Sequence, residues 1–188
     1  MEEVRSVELL CHPWTPTEVV GGMRVSVSRS AHDVLALTFR VDGDVTRIRV
    51  PPPRPPRIAH QLWEHTCFEA FVAVDGALAY HELNFAPSGE WAGYTFSAYR
   101  EVAGLADEAL APRITVRPAA NHLELDAELM LDRLLPDHPR APLRLALSAV
   151  IEASDGTLSY WALRHPAGKP DFHHADAFAL RLERMRAQ

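Results

Sequence analysis

The chain has 188 residues, of which 47% are hydrophobic and 23% charged, with a formal net charge of −6. This length supports one domain with a sizeable core, and we expect residues 1–188 to form a single domain. No run of about 18 apolar residues exists to form a transmembrane helix, and the acidic start lacks the regions of a signal peptide. We therefore expect a cytoplasmic protein, and its negative charge argues against nucleic acid or an anionic membrane as a partner.

Short alternations of apolar and polar residues, bounded by turns, predict an all-β protein. Three Asp-Gly pairs, at residues 42–43, 75–76 and 155–156, lie between such stretches. Because this dipeptide favours two-residue hairpin turns, each pair is expected to join two antiparallel strands. With about ten or eleven strands, the fold is predicted to be an antiparallel two-sheet β-sandwich, rather than a small barrel, with one or two short helices.

In chain order, the first predicted hairpin has Asp42 and Gly43 as its turn, so that Leu37 pairs with Ile48. The proline-rich segment 50–57 comes next, and it is excluded from a central strand because proline has no N–H to donate. We favour a stiff surface loop for this segment, and a polyproline II ligand for another protein is the alternative. The elements predicted beyond the second hairpin are short helices at 101–110 and 130–135 and strands at 122–129, 143–151, 158–164 and 177–183.

The hairpin around the second Asp-Gly pair carries a face of polar and aromatic side chains. If Asp75 and Gly76 form a two-residue turn, Glu69 lies directly opposite Glu82, an arrangement that destabilises a merely solvated sheet. The same face includes Cys67, Phe71, Tyr80 and Asn84, and it is continued by Trp63 and His65. Carboxylates and an amide among aromatic rings suit a sugar, whose C–H faces pack on rings while its hydroxyls need fixed partners. The alternative is a face covered by a loop, with Trp63 as ordinary packing.

Other kinds of site stay open at this point. Two carboxylates about 5 Å apart on facing strands approach the spacing of a retaining glycosidase pair, but no further group that would polarise them is evident, so catalysis is the lesser alternative. The ten histidines suggest metal or haem, although adjacent His173 and His174 point to opposite faces of a strand. Cys11 and Cys67 fit neither a disulfide framework nor a zinc site.

A second dense stretch, residues 159–174, runs from a strand into a loop that contains proline and glycine. This loop ends with Lys169, Asp171, Phe172 and two histidines, and Lys169 is the only lysine of the chain. Loops at the end of a sandwich often carry binding residues. The loop is equally consistent with a structural connector whose Phe172 fills a gap in the core.

These motifs resemble bacterial DOMON-like proteins, which are related to family 9 carbohydrate-binding modules. The resemblance rests on residues 62–69 (LWEHTCFE), 80–91 (YHELNFAPSGEW), 99–100 (YR) and 165–174 (HPAGKPDFHH). It implies a sandwich of two antiparallel sheets that binds sugars or b-type haem. In family 9 modules two tryptophans clamp a sugar, and the resemblance makes Trp63 the first of them, Glu69 its carboxylate partner and Arg100 a binding arginine. No residue matches the second tryptophan securely, and Trp161 or Phe172 are the replacements.

We therefore predict non-catalytic carbohydrate binding, with a small molecule or glycan as ligand and no cofactor. A haem-binding or cation-binding domain is the alternative, but the Met–His axial pair of haem-binding DOMON domains has no recognisable motif at Met23 or Met130. The predicted ligand-binding residues are Trp63, His65, Glu69, Glu82, Asn84, Trp91, Arg100, Trp161, Lys169, Asp171, Phe172 and His173.

Overall fold

Alternating apolar residues build nearly all of the regular structure. The computed structural model describes residues 4–30, 32–138 and 140–183, and this part of the chain forms twelve β-strands, one α-helix and four 3-10 helices. The strands are β1 (Val4–Cys11), β2 (Val20–Arg29), β3 (Val34–Gly43), β4 (Cys67–Val74), β5 (Tyr80–Phe85), β6 (Trp91–Ala98), β7 (Glu101–Leu105), β8 (Arg113–Pro118), β9 (His122–Met130), β10 (Leu143–Glu152), β11 (Leu158–Ala162) and β12 (Leu180–Leu182). The helix α1 is Leu131–Leu134, and the 3-10 helices are Val45–Arg47, Leu62–Glu64, Glu108–Leu110 and Ala175–Ala177. No helix among these is long and apolar enough to cross a membrane.

The strands form two antiparallel sheets that share β1. The first sheet has the order β1-β2-β3-β9-β8, and the second has the order β7-β6-β5-β4-β10-β11-β1, with β12 also paired to β10. Strand β1 changes partner along its length, because Val4 to Leu9 pair with β2 whereas Leu10 and Cys11 pair with β11. The ladder of hydrogen bonds is therefore continuous, while one face of each sheet turns towards a common core.

The core between the two sheets is filled from alternate positions of both. Phe39 on β3 and Phe68 on β4 are both fully buried, and their ring centroids lie 5.2 Å apart. The inward residues of β9 and β10 are those predicted from the alternation: Leu123, Leu125, Ala127 and Leu129 on β9, and Leu143, Leu145, Leu147, Ala149 and Ile151 on β10. The prediction of an all-β sandwich is confirmed.

The Asp42-Gly43 pair does not form the predicted hairpin turn. Strand β3 continues through both residues, with Gly43 paired to Val20 and Asp42 to His122. A Cβ atom at Gly43 would lie 2.3 Å from the carbonyl oxygen of Val19. This glycine is therefore required by a close approach of two backbones, and the predicted pairing of Leu37 with Ile48 was wrong.

The Asp75-Gly76 pair does lie in a hairpin, but the predicted register was shifted by two residues. The N–H of Ala77 donates to the carbonyl of Val74, and of the two central residues only Gly76 has a positive φ, of 84°. A type I′ turn needs a positive φ at both positions, so the chain instead makes a longer connection. Glu69 consequently lies opposite Asn84, rather than opposite Glu82. A shift of two residues keeps every side chain on its predicted face.

Five other segments test the remaining predictions. The Asp155-Gly156 hairpin exists, with Ala153 and Thr157 closing it around three residues and Gly156 at a φ of 89°. The helix predicted at 130–135 corresponds to α1. The helix predicted at 101–110 was wrong, because its first half is β7, paired to β6. The strand predicted at 177–183 is reduced to β12, and segment 50–57 has no helix or strand.

Candidate binding pocket

The outward-facing side chains of the second sheet surround a pocket of about 370 Å³. Because the inward positions of β4 and β5 fill the core, their alternate positions supply the pocket with Glu69 and Glu82. Six of the residues predicted from sequence line it: Trp63, Glu69, Glu82, Arg100, Phe172 and His173. These residues come from both of the motif-rich stretches of the sequence, and the fold brings the two stretches together.

Two buried carboxyl groups form the floor of the pocket. Glu69 is 3% exposed and Glu82 is 6% exposed. The hydroxyl of Ser148 on β10 donates to Glu69 Oε2 at 3.1 Å, and Asn84 Nδ2 donates to Glu82 Oε1 at 2.8 Å. The other amide atom, Asn84 Oδ1, is buried and has no donor among the described residues. The floor is therefore rich in hydrogen-bond acceptors.

The two carboxyl groups differ in their surroundings, and this difference places the proton of the pair. Burial, together with the charge of Glu82, raises the pKa of Glu69 to about 8. Burial also raises the pKa of Glu82, against the opposing effects of the Asn84 amide and the Arg100 charge. Because more hydrogen-bond donors face Glu82, its ionised form is the more stabilised of the two. Glu69 is therefore the carboxyl group that holds a proton at neutral pH.

A short hydrogen-bonded chain links the rim of the pocket to Glu82. The backbone N–H of Arg100 donates to the Tyr80 hydroxyl at 3.1 Å, and this hydroxyl lies 2.9 Å from His173 Nδ1. Burial and the nearby Arg100 charge lower the pKa of His173 to about 4, so its ring is neutral. If Tyr80 donates to Nδ1, the ring proton is on Nε2, which lies 3.5 Å from Glu82 Oε2.

Arg100 is fixed at the rim of the pocket by both its backbone and its side chain. Its φ of 57° lies in the left-handed region, which costs a non-glycine residue about 1–2 kcal/mol. The guanidinium donates to Asp171 Oδ1 at 2.9 Å and to the Tyr99 hydroxyl at 3.3 Å, and Tyr99 in turn donates to Asp171 Oδ2 at 2.6 Å. An arginine held in an unfavourable backbone conformation is typical of a functional site.

Aromatic side chains form the walls, and most of them were missed in the sequence. Trp63 is 39% exposed and meets Tyr94 edge to face with centroids 5.9 Å apart, while Tyr160 and Phe172 lie 6.1 Å apart. The lining residues that sequence reasoning missed are Tyr94, Phe96, Val102, Val150, Tyr160 and Pro170. The signal for Tyr94 was its outward position on β6, directly opposite Glu82, but only the correct register reveals it.

One end of this sheet face is covered by a loop, as the alternative interpretation expected. Phe71 and Tyr80 pack with Ala177 and Phe178 in a second hydrophobic cluster. The loop that covers them also contributes Phe172 and His173 to the pocket. One end of the face is therefore covered, and the other end is open to the pocket.

The other predicted site residues do not line the pocket. Trp91, only 1% exposed, and Trp161 are core residues, and Trp161 donates to Ser159. His65 projects away to bond Glu152 at 2.8 Å, and Lys169 is exposed. Asn84 bonds Glu82 and Asp171 bonds Arg100, so both touch a lining residue without lining the pocket themselves.

The two methionines considered for haem lie outside this pocket. His173 lines the pocket, but Met23 is buried in the core on β2 and Met130 lies at the end of β9, and neither lines the pocket with it. Within residues 4–30, 32–138 and 140–183, no three His, Cys, Asp or Glu side chains are grouped to hold a metal ion.

Comparison with known proteins supports the fold. No family model matches the sequence, and no curated protein matches it. Among solved structures, the chain is similar to a candidate carbohydrate-binding protein from Bacteroides uniformis ATCC 8492, with 12% sequence identity and a TM-score of 0.64. The match covers 93% of this chain and 83% of the other. At this identity the likeness shows a shared fold.

Proposed function

We propose that the protein binds carbohydrate reversibly, without catalysing a reaction, in the pocket on the outer face of its second sheet. The observation that carries this proposal is the combination of aromatic walls and a buried carboxyl floor in one pocket of about 370 Å³. Sugar rings pack their C–H faces on aromatic side chains and need fixed partners for their hydroxyls. The volume lies within the range of about 300–1,000 Å³ that is usual for small-molecule sites.

One structural similarity and one sequence resemblance support this proposal. The Bacteroides protein with the similar fold is itself a candidate carbohydrate-binding protein. The motifs that resemble DOMON-like proteins and family 9 carbohydrate-binding modules include seven of the twelve residues that line this pocket: Trp63, Glu69, Glu82, Arg100, Pro170, Phe172 and His173. In the finer proposal, Trp63 packs against a sugar ring, Glu69 and Glu82 bond polar groups of the ligand, and Arg100 closes the rim.

The proposal is tested by titrating mono- and oligosaccharides into the protein in a calorimeter. Trp63→Ala removes a wall of the pocket, so we expect a loss of about 1–2 kcal/mol of binding free energy, or about 5–30-fold in affinity. Trp14→Ala is the matched control, because Trp14 is 67% exposed and does not line the pocket. Affinity that is unchanged by Trp63→Ala, or no sugar binding at millimolar concentration, contradicts the proposal.

A further inference from the structure

The charges around the pocket do not balance. Its floor holds Glu69 and Glu82, and the single guanidinium that lines it, Arg100, is already paired with Asp171. His173 adds no charge because its ring is neutral. The remaining titratable groups of the lining, Tyr94 and Tyr160, are phenols and carry no positive charge. With a neutral ligand, one carboxyl group of the pair therefore has to stay protonated.

The hydrogen-bonding groups of the floor are unbalanced in the same direction. When both carboxyl groups are ionised, their four oxygens receive, from the described residues, only the Ser148 hydroxyl, one Asn84 N–H and, at 3.5 Å, His173 Nε2. A ligand that suits this floor brings several donors on one small group.

The walls favour a positive charge as well. Trp63, Tyr94, Tyr160 and Phe172 surround the space above the carboxyl groups. The faces of aromatic rings attract cations, and this attraction increases when water is excluded. A protonated amine has both features that the floor lacks, since it carries one positive charge and three N–H donors.

We infer that the ligand is an amino sugar whose ammonium group lies against Glu69 and Glu82, an inference that rests on the proposed carbohydrate binding. The sugar ring packs against Trp63, and its hydroxyls take the remaining partners. The positive charge of the ammonium opposes the effect of the Glu82 charge on Glu69, so Glu69 ionises on binding and its proton passes to the solvent. Complex formation therefore releases one proton, and no covalent bond changes.

Calorimetry with four probes tests this inference at about pH 6.5, where the amine is charged and free Glu69 is protonated. The probes are D-glucosamine, D-glucose, N-acetyl-D-glucosamine, which lacks the charge, and cyclohexylamine, which lacks the hydroxyls. We expect D-glucosamine to bind at least about tenfold more tightly than each of the others, a difference of about 1.4 kcal/mol. Titrations in two buffers of different ionisation enthalpy should show about one proton released with D-glucosamine and none with D-glucose.

Variants assign the effect to the carboxyl groups. Glu69→Gln should abolish both the proton release and the preference for the amine, and Glu82→Gln should weaken the preference. Glu18→Gln removes the same charge from an exposed position between β1 and β2 and should change neither. Equal affinity for D-glucosamine and D-glucose overturns the inference and leaves carbohydrate binding intact. Cyclohexylamine binding as tightly as D-glucosamine overturns both proposals, as does the absence of binding by all four probes.

Discussion

The carboxyl group of Glu69 stays protonated near neutral pH because burial and the charge of Glu82 raise its pKa to about 8, from an ordinary value of 4.5. Between these two values the folded protein binds more protons than the unfolded chain. The contribution of Glu69 to the free energy of unfolding is therefore fully present below about pH 4.5 and is lost as the pH rises towards 8. Glu82, whose pKa is also raised, acts in the same direction.

This linkage predicts that the free energy of unfolding depends on pH and that Glu69→Gln makes this dependence weaker. We expect the unfolding free energy of the wild type to fall by on the order of 1 kcal/mol between pH 6.5 and 8, and that of Glu69→Gln to fall less. The interval lies above the range in which His173 acts, because its lowered pKa of about 4 makes stability rise with pH up to its ordinary 6.5. Urea unfolding at several pH values measures this difference. Equal slopes for the variant and the wild type would contradict it, and Glu18→Gln should match the wild type.

The face of the sheet on which a residue lies could be predicted from the sequence more reliably than the residue that lies opposite it. The alternation of β4 and β5 placed Glu69, Glu82 and Asn84 on one face, and the structure agrees. Their pairing depended on the turn, and a connection longer than two residues moved Glu82 to a diagonal position. For Trp91 the predicted face itself was wrong. It was predicted to bind the ligand because it lies beside a binding motif, but its position on β6 faces the core.

Gly43 shows that the pairing of two strands can depend on a contact between residues that are distant in sequence. Its missing side chain lets the start of β2 approach the end of β3, where a Cβ atom would lie 2.3 Å from the Val19 carbonyl oxygen. We expect Gly43→Ala to lower the free energy of unfolding by about 1–3 kcal/mol, because the two backbones must separate. Gly22→Ala is the matched control on the same pair of strands, since nothing lies within 4 Å of a Cβ atom there. Denaturant unfolding compares the two, and equal losses of stability would contradict the argument.

Among the secondary-structure elements, the turns expected at the Asp-Gly pairs were predicted least reliably. The Asp-Gly dipeptide at 155–156 closes a hairpin, at 75–76 it begins a longer connection, and at 42–43 it belongs to a strand. The local chemistry of the dipeptide is the same in each case, so the surrounding contacts decide between these outcomes. Strands with strict alternation, such as β9 and β10, were predictable because one face of each is buried along its whole length.

At the scale of the whole molecule, one face of β4 packs in the core and the other face borders the pocket. Phe68 points inward to Phe39 of the opposite sheet, while the adjacent Glu69 points outward to the pocket. This division follows from the two-residue period of a strand, which sends successive side chains to opposite faces. The sandwich could be predicted from that period alone. The pocket could not, because its walls come from loops and strands whose relative positions depend on the register and on the path of the 163–178 segment.

The same division predicts that stability and binding can be changed independently. Phe39→Leu leaves a gap between the two sheets, and we expect it to lower the free energy of unfolding by about 1–3 kcal/mol, as core truncations commonly do. Because Phe39 lies on the core side and does not line the pocket, ligand affinity of the folded variant should stay within about twofold of the wild type. Trp63→Ala should lower ligand affinity and leave the free energy of unfolding nearly unchanged, because a partly exposed ring outside the core contributes little to folding. Urea unfolding and calorimetric titration of both variants, below their unfolding temperatures, measure the two effects. A loss of affinity in Phe39→Leu as large as that in Trp63→Ala would show that the pocket depends on the packing between the sheets.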